Sequence, residues 1–103
     1  MSQAKTPTQP RLLFLTGPCA KTLFPLVLQK TIIGRLPSSH LAIDDATVSR
    51  VHAQLVLELM GVFVEDLSSL QGTWVNGIWT HRKLLEPGDL IAIGDIVLEF
   101  QCD

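Results

Sequence analysis

Three segments of the chain set polar and charged side chains at the ends of apolar runs. Gly34-Arg35 closes "TIIGR", Ser49-Arg50-Val51-His52 opens "SRVHAQL", and Asp66 to Gly77 reads "DLSSLQGTWVNG". Ser, His and Asp suggest hydrolysis first, and the pattern does not support it. No G-x-S-x-G elbow surrounds Ser49, and no third group is in place to orient His52. Three positions apart on a strand, the two side chains would point to opposite faces. "TGPCAKT", Thr16 to Thr22, ends in Lys-Thr but lacks the glycine before the lysine that a phosphate-cradling loop needs. His40, His52, His81, Cys19 and Cys102 have no metal-ligand spacing, so neither metal nor cofactor is expected. The adjacent carboxylates Asp44-Asp45 and Glu65-Asp66 read as solvated turn or strand residues. The sequence therefore reads as a binding protein and not an enzyme.

Composition narrows what could be bound. With a net charge of -2 and 17% charged residues, the chain has no basic stripe for nucleic acid or an anionic membrane. A small local basic pocket remains open to it. A hydrophobic content of 47% over 103 residues is ample for one packed core. "MSQAKTPTQPR" at the N-terminus has no signal-peptide core, and no apolar run reaches the ~20 residues of a membrane helix. These features lead us to expect an intracellular protein, cytoplasmic or nuclear, with both cysteines as thiols. The chain stops three residues after Phe100, as a domain cut from a larger protein would.

The polar segments need a scaffold, and the rest of the sequence supplies strands. Residues 1–10 read as a flexible tail and 11–103 as a single domain. Short apolar runs such as "RLLFLT", "FPLVLQ", "TIIG", "HLAI", "VFVEDL", "LIAIG" and "IVLEFQ" are cut by turn signals, which points to an all-β sandwich or barrel. Asn76-Gly77 is a two-residue hairpin signal because both residues tolerate positive φ. Gly94-Asp95 reads as a second hairpin, and Pro87-Gly88 as a type II turn. "RVHAQLVLELM" fits a helix or a strand. Alternation of Val51, Ala53, Leu55, Leu57 and Leu59, with Met60-Gly61 as a turn, favours the strand.

Taken in order, the G-R, S-R-x-H and D-x-x-S-x-x-G-T-x-x-N-G segments, followed by "EPGDLIAIG", make the chain similar to the forkhead-associated (FHA) domain family over residues 11 to 103. The resemblance implies a two-sheet β-sandwich of about eleven short strands with ligand loops at one end. It also implies a phosphothreonine-dependent peptide-binding module that recruits a protein marked by a Ser/Thr kinase. Arg35 matches the arginine that meets the phosphate. Ser49 matches the serine whose hydroxyl and backbone hold another phosphate oxygen, and Arg50 a position that adds a phosphate or peptide contact. His52 matches a histidine that braces the loops. Gly34 and Gly72 match structural glycines, and Asn76-Gly77 the hairpin that closes the segment. Leu70 and Gln71 depart from the pattern, which has a small polar residue and then Asn. Gln71 keeps the amide with one more methylene, and Leu70 loses a hydroxyl.

General chemistry agrees with such a site. A phosphorylated side chain brings about -1.5 to -2 charges and three strong acceptors, and Arg offers planar paired donors to it. The alternative is an FHA-fold interaction domain that binds its partner through a sheet face, independently of phosphate. In the tail, Thr6 before Pro7 and Thr8 before Gln9 are candidates for phosphorylation, which would permit self-association.

Overall fold

The computed structural model describes residues 9–102. No α-helix occurs among them. Eleven strands form two sheets: β1 (Arg11–Phe14), β2 (Leu23–Pro25), β3 (Lys30–Gly34), β4 (Leu41–Ala42), β5 (Ala53–Glu58), β6 (Gly61–Asp66), β7 (Thr73–Val75), β8 (Ile78–Trp79), β9 (Arg82–Leu84), β10 (Leu90–Ile93) and β11 (Ile96–Gln101). The six-stranded sheet has the order β2-β1-β11-β10-β7-β8, and the five-stranded sheet β4-β3-β5-β6-β9. Only β3 and β4 pair in parallel.

Period-two alternation puts one stripe of each strand into the core. Leu12, Phe14, Ile91, Ile93, Ile96, Leu98 and Phe100 come from one sheet, and Ile33, Ala53, Leu55, Val62 and Val64 from the other, all buried. The hairpins follow their turn chemistry. Asn76 and Gly77 have φ of 52° and 81°, the double positive φ of the tight turn that matches strand twist. At the second hairpin Ile93 pairs with Ile96 around Gly94, whose φ is 59°. Across Pro87-Gly88 the Asp89 N–H donates to the Glu86 carbonyl at 3.0 Å, with Gly88 at φ 93°.

Several strand limits differ from the sequence pattern. Of "FPLVLQ" only the first two residues join a strand, because Leu26 turns inward and donates its N–H to the Pro10 carbonyl. Val27 and Leu28 are left exposed. In "RVHAQLVLELM" the strand runs from Ala53 to Glu58 only, and within it Val56 is buried beside Leu55 while Leu57 is half-buried. Val51 lies in the bend before the strand, and Leu59 with Met60 forms the turn itself, exposed. Gln9 and Pro10 are tied down, the Gln9 amide donating to the Leu26 carbonyl. Thr6 and Thr8 lie outside the described residues. No disulfide joins Cys19 and Cys102.

The outer faces of the two sheets contrast. Over the five-stranded sheet, the Arg82 guanidinium lies 3.8 Å from the Phe63 ring centroid. It pairs with Glu65 at 2.7 Å and Glu58 at 3.1 Å, while Gln54 donates to Glu65 at 2.7 Å. Over the six-stranded sheet, Trp79, Trp74, Ala92 and Val97 form a row of cross-strand neighbours.

Candidate functional site

Gly34 lets the polar segments meet. A Cβ there would lie 2.1 Å from the Arg50 carbonyl oxygen, so only glycine permits the close crossing of β3 and the 49–52 bend. Through that crossing the Arg35 N–H donates to Ser49 O at 2.9 Å and the Leu36 N–H to Arg50 O at 3.2 Å. Arg35, Ser49 and Arg50, from two chain segments, come together here.

His52 ties in the third segment. It is fully buried, and its Nδ1 accepts the Ser49 N–H at 3.0 Å. The ring proton therefore sits on Nε2, which donates to the Gly72 carbonyl at 2.8 Å. The His52 carbonyl accepts the Leu67 N–H at 2.9 Å. The side chain thus joins the bend before β5 to the loop between β6 and β7. Two expectations change. Residues 49–52 form a bend and not a strand, so Ser49 and His52 are neighbours and not on opposite faces. The Ser49 N–H, expected to help hold a ligand, is already engaged by the imidazole. With both ring nitrogens occupied, His52 has no lone pair for the Ser49 hydroxyl. That hydroxyl accepts the Leu70 N–H at 3.0 Å, and its own proton is left to face a ligand.

Asp66, Ser69 and Thr73 hold the β6–β7 loop, and the sequence reading gave them no role. Asp66 Oδ1 accepts the Ser69 hydroxyl at 2.6 Å and the Thr73 hydroxyl at 2.7 Å. Ser69 Oγ accepts the Gly72 N–H at 2.9 Å. Burial works to raise the Asp66 carboxyl, but the hydrogen bonds from Ser69 and Thr73 outweigh it and hold the group below its ordinary range. Their signal was the D-x-x-S-x-x-x-T spacing, in which short hydroxyl side chains reach back to a turn-forming carboxylate. Thr47 was missed as well. Its N–H donates to Asp45 at 2.9 Å, and its hydroxyl oxygen accepts the Asp95 N–H at 2.8 Å, which joins the β10–β11 hairpin to the same loops.

These loops surround a cleft of about 210 Å³ lined by Arg35, Ala46, Thr47, Val48, Ser49, Arg50, Leu70 and Gln71. Arg35 Nε donates to the Val48 carbonyl at 3.0 Å, which fixes the guanidinium plane. Its terminal nitrogens have no partner among the described residues, and neither Arg35 nor Arg50 belongs to an ion pair there. Leu70 is 90% exposed at the rim. Gln71 is exposed beside it, its carbonyl accepting Trp74 Nε1 at 3.1 Å. Gly72 is buried behind the loop. Asn76 and Gly77, expected to support the loops, lie instead at the far end of β7. There Asn76 donates to Asp89 at 2.9 Å and accepts the Leu90 N–H at 3.0 Å.

A two-sheet sandwich carrying a cleft with two unpaired arginines at one end is the architecture of a loop-based binding module. The chain belongs to the FHA domain family, whose model matches residues 31–94. It is 42% identical over 84 residues to the glycogen accumulation regulator GarA of Mycolicibacterium smegmatis, covering 82% of this chain and 53% of GarA. It is 40% identical to the oxoglutarate dehydrogenase inhibitor of Corynebacterium efficiens, covering 82% of this chain and 59% of the inhibitor. The chain thus spans somewhat over half the length of these relatives. A solved FHA domain, from work on phosphothreonine-dependent FHA interactions, superposes with a TM-score of 0.83 at 26% identity, covering 91% of this chain and 96% of that one.

Proposed function

We propose that the chain binds a phosphothreonine-containing segment of a partner protein in the Arg35–Ser49–Arg50 cleft, without catalysing a reaction on it. The observation that carries this reading is the pair of arginines without ion-pair partners that line, together with Ser49, one cleft of about 210 Å³. Arg35, its plane set by Val48, presents two terminal nitrogens to a phosphate. The Ser49 hydroxyl donates to a further oxygen, and Arg50 adds charge. Ala46, exposed in the cleft lining, offers apolar surface for the threonine methyl, worth about 1 kcal/mol. Gln71 supplies an amide for the peptide backbone. The relatives named as a regulator and an inhibitor fit a protein that acts by holding its partner.

The test is fluorescence anisotropy against a degenerate phosphothreonine peptide pool, with matched Thr and phosphoserine pools. Binding to phosphothreonine alone, lost in Arg35→Ala, supports the reading. Undiminished binding by Arg35→Ala, or equal binding of the Thr pool, overturns it. The apolar outer face of the six-stranded sheet favours a second reading, contact through that face without phosphate, and such contact ignores Arg35→Ala.

A further inference from the structure

The Trp79–Trp74–Ala92–Val97 row leaves apolar surface in solvent. Trp79 is 70% exposed, Trp74 39% and Leu90 43%. Beside the row runs a groove of about 360 Å³ lined by Trp74, Asn76, Gly77, Leu90, Ala92 and Val97. The Asn76 side chain is already committed to Asp89 and to the Leu90 N–H, so the groove offers almost purely apolar contact. A concave apolar surface lined by the Trp74 indole and by Leu90, Ala92 and Val97 is the type that carries binding energy.

This surface runs into the cleft. Gln71 lines the cleft, and its carbonyl holds the Trp74 indole at 3.1 Å. Gly72 packs against both indoles, where a Cβ would come within 3.0 Å of Trp79 Nε1 and 3.1 Å of Trp74 Nε1. Leu70, 90% exposed, continues the apolar surface onto the rim. The opposite outer face has no such path, because Arg82 covers Phe63 and is held there by Glu58 and Glu65.

We infer that the groove takes apolar side chains from the segment flanking the phosphothreonine in the same partner, so that recognition has two points. The inference rests on the phosphothreonine reading of the cleft. From Gln71, Trp74 lies three residues along and Asn76 five, so the groove begins beside Gln71, where the Trp74 indole is held, and ends at most about 17 Å away. The apolar residues of the ligand therefore fall within about six positions of the phosphothreonine in an extended segment. Once the phosphate is held, the second contact forms within one complex and adds affinity as a tethered site does.

Trp74 and Trp79 are the chain's only tryptophans, and it has no tyrosine. Emission excited at 295 nm therefore reports this face alone. The probes are synthetic phosphothreonine peptides in three forms: short, extended by six residues alternating mixed Val/Ile/Leu/Phe with Ser, and extended by six of Gly/Ser. Each extension is made on the N- and the C-terminal side. The apolar extension on one side is expected to tighten binding about tenfold or more and to shift the emission to the blue. Leu90→Lys, a change in the groove lining, removes that gain and keeps the affinity for the short peptide. Arg35-dependent binding of the short peptide, with equal affinity for both extensions and no spectral shift, overturns the inference and leaves the cleft assignment standing. No binding of any phosphopeptide removes both. A blue shift that grows with protein concentration alone, with a doubled mass by sedimentation, assigns the face to a second copy and overturns it as well.

Discussion

His52 and Arg35 sit in one loop cluster and serve opposite ends. His52 is 0% exposed with both ring nitrogens bonded, whereas Arg35 is exposed with its terminal nitrogens unpaired. Gly34, Asp66, Ser69, Gly72 and Thr73 belong with His52 as a frame whose hydrogen bonds close on one another. Arg50, Leu70 and Gln71 belong with Arg35 as a rim that faces outward. In the frame polar groups are satisfied internally, which fixes loop positions. On the rim Arg35 and Arg50 have no ion-pair partner among the described residues. On the proposed reading stability and recognition fall on different residues a few positions apart, and substitutions should separate them.

The largest effect is expected at Gly34. Gly34→Ala puts a Cβ 2.1 Å from a backbone oxygen that cannot yield cheaply, so the change should cost on the order of 3–5 kcal/mol or prevent folding. Urea unfolding measures it, and a loss under 1 kcal/mol would break the frame assignment. Arg35→Ala comes next and belongs to the other layer. Phosphopeptide binding should fall by on the order of 2–5 kcal/mol, while the unfolding midpoint stays where it was, because an exposed side chain is removed.

Asp66→Asn should cost about 1–3 kcal/mol at pH 7, since the carboxylate accepts from Ser69 and Thr73 at once. Its sign with pH is fixed by the lowered folded value. The Asp66 contribution is whole above the ordinary carboxyl value, about 3.9. It fades as the pH falls through the lower folded value, where both states are protonated. A pH series of denaturant midpoints should thus show wild type and Asp66→Asn converging in acid. A gap that persists unchanged to pH 2 would contradict this. Leu70→Thr is the smallest. At 90% exposure it should leave stability within about 0.5 kcal/mol and tighten phosphopeptide binding by about 0.5–1.5 kcal/mol through a new hydroxyl. Weaker binding would show that Leu70 itself touches the peptide.

The rim residues were named in the sequence through the order of the three polar segments, since a single arginine at a strand end reads by itself as an exposed side chain. The frame was legible only in part. Gly34 and His52 stood out, whereas Asp66, Ser69 and Thr73 looked like ordinary loop polarity, since the bonds that join them close only once the loop has folded back. Strands with clean alternation, such as Ile96–Gln101, were plain. The run Arg82–Leu84 was not read as a strand, because its two charged residues hide the pattern. Its pairing comes from β6, where Phe63 meets Leu84 and Glu65 meets Arg82. Tertiary pairing overrides local composition there, as β propensity is mostly a matter of neighbours.

The sheet margins bear on how this domain behaves in a crowd. The strands at the four edges, β2, β8, β4 and β9, are two or three residues long, and β2 ends in Pro25. Such stubs give an incoming chain few backbone groups to pair with, which guards against edge-to-edge stacking and fibril growth. A fold with open indole rings on one face is thereby kept from polymerising through its backbone. Lengthening β8 by replacing His81 after Thr80 with Val or Ile would remove that guard and should turn a dispersed protein into one that self-associates.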